Sequence, residues 1–529
     1  MVTTTKPDII FIVLDTHRAD RLSCYGYPRD TTPHIDKFAQ SATLFERAIV
    51  PAQWTVPSHA SLFTGEYPTT HMTTQIYNTL SPDQVTLAEL LNRNGYATVG
   101  FCNNPLLGVV ENGLDRGFEE FYNYGGAVPN LPDISKSRPK LLGRLLESYI
   151  RLMRRITVPI QNQFAHNNLL LRIALNPFLA SIWQRRANFK GKTARSLRDV
   201  VGYLRTHRNL EPRRPVFAFV NLMETHLPYW PPPRFVNKFA PYYQNDREAR
   251  DFMRYYNIQH YRWMIPLTQP LSEVADRTLN DFHDAEVAYQ DELLGRLFSY
   301  LGQPGVRENT MVVITSDHGE GMNNHNFVGH SLVAYDDLVR VPLVIRYPRL
   351  YPAGKRVSTL VSTRRLFHSV LEAAGVLSDG NDLNGHGAPI EVERLSLTRS
   401  LEGQDPEHET VFAEAFVPDT LVALMENMDP AAIDLFRCRS MRRAGYQGRY
   451  KLITVDDKPD ELFDVMDDPK EVRNLRDDYP DEVTRLQSVL NDFVDQSQER
   501  RPGNWEASRQ LSIDDETVAD RLRALGYLE

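Results

Sequence analysis

Ile9-Ile10-Phe11-Ile12-Val13-Leu14 runs without a polar residue and stops at Asp15. A short apolar run rich in β-branched side chains, with no polar alternation, is what a strand covered on both faces requires. It is too short for the apolar core of a signal peptide. Comparable runs recur at 97–101, 216–222, 311–315 and 341–345. Helical patterns lie between them, among them 86–94, which stops at Gly95, and 283–301. Strands alternating with helices predict an α/β fold, a large and mostly parallel sheet flanked by helices with right-handed crossovers. Such sheets bind ligands beyond the carboxyl ends of their strands. Asp15 directly follows the first strand, and Asp317 follows the 311–315 strand after Ser316. The fold alone therefore puts both acids on the ligand-binding edge.

The pattern changes near residue 375. Strand-like stretches at 411–416 and 450–455 and a helix at 480–496 predict a smaller C-terminal α+β subdomain over 376–529. A catalytic domain over 1–375 would then carry a basic helical insert at about 126–200. Within it, 136–192 holds twelve Lys and Arg against one acid, Glu147, so it carries +11 and the rest of the chain −19 of a net −8. Hydrophobic residues at 42% and charged residues at 24% exclude a disordered, collagenous or coiled-coil chain. The acidic balance argues against a nucleic-acid partner. Cys24, Cys102 and Cys438 stand far apart, so they form neither a disulfide framework nor a zinc motif. No run approaches 18 uninterrupted apolar residues, so no transmembrane helix is expected. The expectation is a cytoplasmic protein, with peripheral contact to an anionic membrane through 136–192. There Leu141, Leu145, Ile150, Leu169, Ile173 and Trp183 would face acyl chains and the arginines phosphates. A solvated cover and a lid over an anionic substrate are the competing readings of that insert.

Two motifs carry chemistry. The first is Thr55-Val56-Pro57-Ser58-His59-Ala60-Ser61-Leu62-Phe63-Thr64-Gly65. A hydroxyl at a helix N-terminus sits where backbone N–H groups and the helix dipole favour an alkoxide or an incoming oxyanion. The plainer reading makes Thr55 an N-cap. The second is Ser316-Asp317-His318-Gly319-Glu320, a carboxylate beside an imidazole at a strand end. Alone it is a turn. With Asp15 and Thr55 it completes an Asp, Thr, Asp, His set able to hold a divalent ion and to activate the threonine hydroxyl. His226, in Glu224-Thr225-His226-Leu227-Pro228-Tyr229, follows the 216–222 strand and faces the same edge. Arg18 reads as a structural ion-pair partner.

The chain resembles the sulfatase branch of the alkaline phosphatase superfamily. The resemblance rests on Asp15-Thr16-His17-Arg18-Ala19-Asp20, the 55–65 and 316–320 segments, Gly329-His330-Ser331 leading to Arg340-Val341-Pro342-Leu343, and the C-terminal Glu461-Leu462-Phe463-Asp464. It spans roughly 6–125 and 210–475. It implies that His330 stands where sulfatases have a lysine that protonates the leaving group. It also implies that Asn78, 23 residues after Thr55, supplies a substrate-contacting amide. Several positions depart from the family pattern. The sulfatase signature is Cys or Ser, any residue, Pro, Ser, Arg, and its first residue is oxidised to formylglycine. Thr55 carries a methyl on Cβ, so no formylglycine is expected. His59 replaces the signature arginine at the substrate side, Thr16 replaces a second acid, and His318 replaces an amide. The altered set is similar to phosphotransferase members, such as lipoteichoic acid synthases, which use an unmodified threonine.

These residues predict a metal-dependent hydrolase or transferase of phosphoesters, with phosphodiesters favoured. It would act through Thr55 and a covalent phospho-enzyme. Asp15, Thr55, Asp317 and His318 would hold one divalent ion, and His330 and His226 would serve catalysis. Asn78, His59, His226 and His330 would contact substrate. Two carboxylates, a hydroxyl and an imidazole favour Mn²⁺ or Zn²⁺ over Ca²⁺ or Mg²⁺. A sulfuric ester hydrolase using the same site is the alternative, and a non-catalytic lipid- or glycan-binding relative a third.

Overall fold

The computed structural model describes residues 6–76, 78–108, 110, 112–125, 190–258, 263, 266–376, 391–419, 421–422 and 429–503. The strands in chain order are β1 (Asp8–Leu14), β2 (Thr43–Ile49), β3 (Ala97–Cys102), β4 (Glu120–Asn123), β5 (Val216–Leu222), β6 (Thr310–Thr315), β7 (Gly321–Met322), β8 (Val328–Gly329), β9 (Arg340–Arg346) and β10 (Arg356–Ser362). They are followed by β11 (Thr410–Ala415), β12 (Arg442–Gln447), β13 (Tyr450–Val455) and β14 (Lys458–Asp464). One eight-stranded sheet has the order β10-β2-β9-β6-β1-β5-β3-β4, and β11-β12-β13-β14 form a separate antiparallel sheet. β1 lies inside the large sheet, parallel to β5 on one side and β6 on the other.

Every residue of β1 is buried, because helices cover both faces. Ile9, Phe11 and Val13 pack with Phe217, Phe219 and Val313 on the side of helix Thr55–Thr64. Ile10, Ile12 and Leu14 pack with Val220, Ile314 and Leu294 on the side of helices Thr193–Arg208 and Glu273–Leu301. Alternate side chains point to opposite faces, so a strand with two covered faces must be apolar at every position. The helix before β3 spans Leu87–Arg93 and opens on a capping box between Thr86 and Glu89.

Three features differ from the sequence expectation. β2, β4 and β10 belong to the large sheet and went unread; Glu46 and Arg47 interrupt the apolar pattern of β2, and Ser358 and Thr359 that of β10. β9 is antiparallel to β6 and to β2, although the sheet is otherwise parallel. No long helix joins β6 to β9, so no crossover returns the chain to the starting edge and β9 runs back beside β6. The 283–301 helix begins ten residues earlier, at Glu273, with Ser272 accepting from the Ala275 N–H as its cap. Most of the 126–200 insert, including Leu141, Leu145, Ile150, Leu169, Ile173 and Trp183, lies outside the described residues. Among the described residues, no helix is long and apolar enough to cross a membrane.

Candidate active site

Val13 of β1 stands opposite Thr315 of β6, so the two strands end together and release Asp15 and Ser316-Asp317-His318 onto one edge. Ser316 stitches these ends: its Oγ lies 2.5 Å from Leu14 O and accepts from His17 N at 3.0 Å. Thr16, between the two acids' loops, adopts φ +58°, a region a β-branched residue avoids, and its N–H donates to Asp317 Oδ1 at 3.3 Å. Such strain persists where the surroundings over-determine a site.

Asp15, Asp317 and His318 are all buried and each offers a ligand atom within 4.8 Å of the others. Asp15 Oδ2 accepts from Asn104 Nδ2 at 2.7 Å and Asn221 Nδ2 at 3.3 Å. Asp317 Oδ1 accepts from the N–H groups of Thr16 at 3.3 Å and His318 at 3.0 Å. Their other oxygens, Asp15 Oδ1 and Asp317 Oδ2, have no hydrogen-bond partner among the described residues. His318 Nδ1 sits 2.9 Å from Gly319 O, which assigns its proton to Nδ1 and leaves the Nε2 lone pair facing inward. Burial raises the pKa of both carboxyls, and Asp15 pushes Asp317 further up; burial also holds His318 well below an ordinary histidine. Two unpartnered buried carboxylate oxygens converging with an imidazole lone pair fit a divalent cation, whose charge would compensate both.

Thr55 Oγ1 lies 3.3 Å from His318 Nε2. The extended Trp54 occupies the cap position, no side chain caps the helix, and Thr55 is its first residue. The N-cap reading of Thr55 therefore fails, and the first-turn N–H groups are left for an anion. His59, one turn on, lies 2.8 Å from Thr55 O and 3.5 Å from Asp317 Oδ2 through Nδ1, with its ring edge against Phe219. Burial lowers its pKa to about 4, so it is neutral. Its other nitrogen, Nε2, is buried with no hydrogen-bond partner among the described residues.

The chain then leaves the sheet and comes back. Gly319 donates its N–H to Leu338 O at 2.7 Å, and a Cβ there would lie 2.0 Å from Asp337 O, so only glycine allows this approach. The antiparallel ribbon β7–β8 turns the chain and delivers His330 over the site. Arg18 ties the loop down: Nη1 donates to Glu320 O at 3.0 Å and Nη2 to Asp337 at 2.5 Å, the structural role expected of it. His330 Nδ1 lies 3.0 Å from Glu320 Oε1. Burial opposes a charged ring, but the Glu320 carboxylate overcomes it and holds His330 above the ordinary value. The His330 ring centre is 4.6 Å from that of His318 and 4.8 Å from that of His226. His226 has Nδ1 2.6 Å from Leu227 O. Asn78 Oδ1 accepts from the N–H groups of Thr74 at 2.9 Å and Gln75 at 2.8 Å, so its carbonyl end closes a turn and only its NH₂ end is left for substrate.

Sequence reasoning missed Asn104 and Asn221, which hold Asp15, and Glu320, which raises the pKa of His330. Asn104 follows β3 as Asp15 follows β1, so the strand-end rule could have found it. Thr16 Oγ1, also buried without a hydrogen-bond partner among the described residues, was read only as a lost carboxylate. His71 and His283 are buried as well.

The family model named Sulfatase matches residues 7–376, and the chain belongs to that family. It is an enzyme of the ester-hydrolase class. It is 24% identical over 499 residues to the uncharacterized sulfatase YidJ of Escherichia coli (strain K12), covering 93% of this chain and 87% of that one. It is 22% identical over 552 residues to an N-acetylglucosamine-6-O-sulfatase of Bacteroides thetaiotaomicron, covering 95% and 89%. A solved structure in complex with its substrate D-glucosamine-2-N,6-O-disulfate superposes with TM-score 0.64 at 18% identity, covering 94% of this chain and 99% of the other. The phosphonate monoester hydrolase of Agrobacterium radiobacter superposes with TM-score 0.63 at 21% identity, covering 93% and 96%.

Proposed function

We propose that this site cleaves anionic esters with Thr55 Oγ1 as nucleophile and one divalent cation held by Asp15, Asp317 and His318, with Thr55 beside it. Sulfate esters, including those of carbohydrates, become the leading substrate class, ahead of the phosphodiesters favoured from sequence. The sulfatase relatives support this order. Phosphoester hydrolysis or transfer is the second reading, supported by the unmodifiable Thr55 and by the phosphonate monoester hydrolase neighbour. The observation that carries the proposal is Thr55 Oγ1 at a helix N-terminus, 3.3 Å from His318 Nε2, whose cluster with Asp15 and Asp317 holds two unpartnered carboxylate oxygens.

A divalent cation in this donor set would supply the charge that favours ionisation of the threonine hydroxyl. Mn²⁺ or Zn²⁺ suits the donors best. Thr55 Oγ1, ionised with its proton released to solvent, forms a bond to sulfur or phosphorus while the bond to the leaving oxygen breaks. His330, whose hold on a proton Glu320 strengthens, gives its proton to that leaving oxygen. His226 binds a non-bridging oxygen, and the first-turn N–H groups face the developing charge. Water then hydrolyses the ester on Thr55, and neutral His330 takes its proton. The cytoplasmic location and the contact of 136–192 with an anionic membrane belong to the same proposal and are supported by composition alone.

Parallel assays with a nitrophenyl sulfate and a bis-nitrophenyl phosphate, with and without chelator, test it. The expected result is chelator-sensitive turnover with the sulfate ester preferred. Preference for the phosphodiester would promote the second reading. Turnover of either ester by fully metal-free protein would refute the site.

A further inference from the structure

Away from the catalytic edge, helices Thr193–Arg208 and Glu273–Leu301 lie side by side over the sheet and leave a groove of about 440 Å³ between their outer faces. Its floor is apolar, with Leu197, Leu293 and Leu297, and its rim carries Arg198, Arg205 and Arg296. All three arginines are exposed, and no carboxylate lines the groove among the described residues. Arg205 stacks over Tyr300 at 5.3 Å, and Arg198 donates Nε to the Ala194 carbonyl. The mouth beside Gly202 is open, since a Cβ there would meet nothing within 4 Å.

The rest of the chain outside 136–192 carries −19, so arginines are abundantly paired elsewhere. Three exposed arginines around a groove lined by no carboxylate among the described residues are complementary to an anionic surface. We propose that this face docks on a bilayer containing anionic phospholipid, with the three arginines on headgroup phosphates. The proposal rests neither on which ester is cleaved nor on the reading of 136–192.

The test is co-sedimentation of the full chain at low and high salt with vesicles of phosphatidylcholine alone or mixed with phosphatidylglycerol. Three proteins are compared: wild type, Arg198→Glu/Arg205→Glu/Arg296→Glu, and Arg151→Glu/Arg154→Glu/Arg155→Glu. Wild type is expected to pellet with the mixed vesicles at low salt and to stay in solution with phosphatidylcholine alone. The groove variant is expected to lose about 100-fold in bound-to-free ratio, with thermal midpoint and ester turnover unchanged. The same three arginines changed to Gln should lose binding in the same direction by a smaller factor. Wild type left in solution with anionic vesicles overturns the proposal. So does a groove variant that pellets like wild type, since the bilayer would then be held elsewhere.

Discussion

Changing Thr55 to alanine removes one hydroxyl and one methyl from a residue 2% exposed. The hydroxyl's contact with His318 Nε2 is 3.3 Å, long for a hydrogen bond, so its loss costs on the order of 1 kcal/mol of stability. The buried methyl adds on the order of 1 kcal/mol. No cap is lost, because Trp54 holds that position. The fold should therefore survive with a thermal midpoint lowered by a few degrees. Catalysis should lose far more. Deleting a nucleophile that works as part of a unit removes at least about 10³ in kcat/KM, or about 4 kcal/mol of barrier. Thr55→Ser retains the hydroxyl and sheds only the methyl, so it should stay within about tenfold of wild type. The assay is turnover of the nitrophenyl sulfate and phosphodiester at saturating metal, alongside thermal melts of all three proteins. Thr55→Ala turning over within tenfold of wild type would sink the nucleophile assignment.

Asp317→Asn and His318→Ala should each weaken Mn²⁺ or Zn²⁺ binding by about 10–100-fold or more, read by calorimetric titration; unchanged affinity would remove them from the metal set. Glu320→Gln removes the carboxylate that holds His330 above the ordinary histidine value, so burial then dominates and the His330 pKa falls. A general acid loses activity as pH rises through its pKa, so the alkaline limb of the kcat profile should move to lower pH, and an unmoved limb would show that His330 is not the acid. Gly319→Ala would press a methyl against Asp337 O, so it should destabilise the fold by about 1–3 kcal/mol in denaturant melts and displace the loop bearing His330.

The primary sequence by itself determined the strand-end acids and the helix that bears Thr55. An apolar run closed by Asp15 and another closed by Ser316-Asp317 are local patterns, and a parallel sheet converts them into neighbours whatever the details of packing. The distant groups were decided by tertiary structure. β9 runs antiparallel because a short excursion, not a helical crossover, follows β6. His330 reaches the site because the ribbon β7–β8 folds back under the hold of Arg18 and Gly319, and its charge depends on Glu320, ten residues earlier in the chain. Asn104 and Asn221 brace Asp15 from β3 and β5, across 89 and 206 residues of sequence. Side-chain hydrogen bonds of that range leave no periodic trace, since they depend on which strand ends lie side by side. The same holds for Thr55: its sequence suits a cap or a nucleophile equally, and only the tertiary structure puts Trp54 at the cap position and His318 Nε2 opposite the hydroxyl.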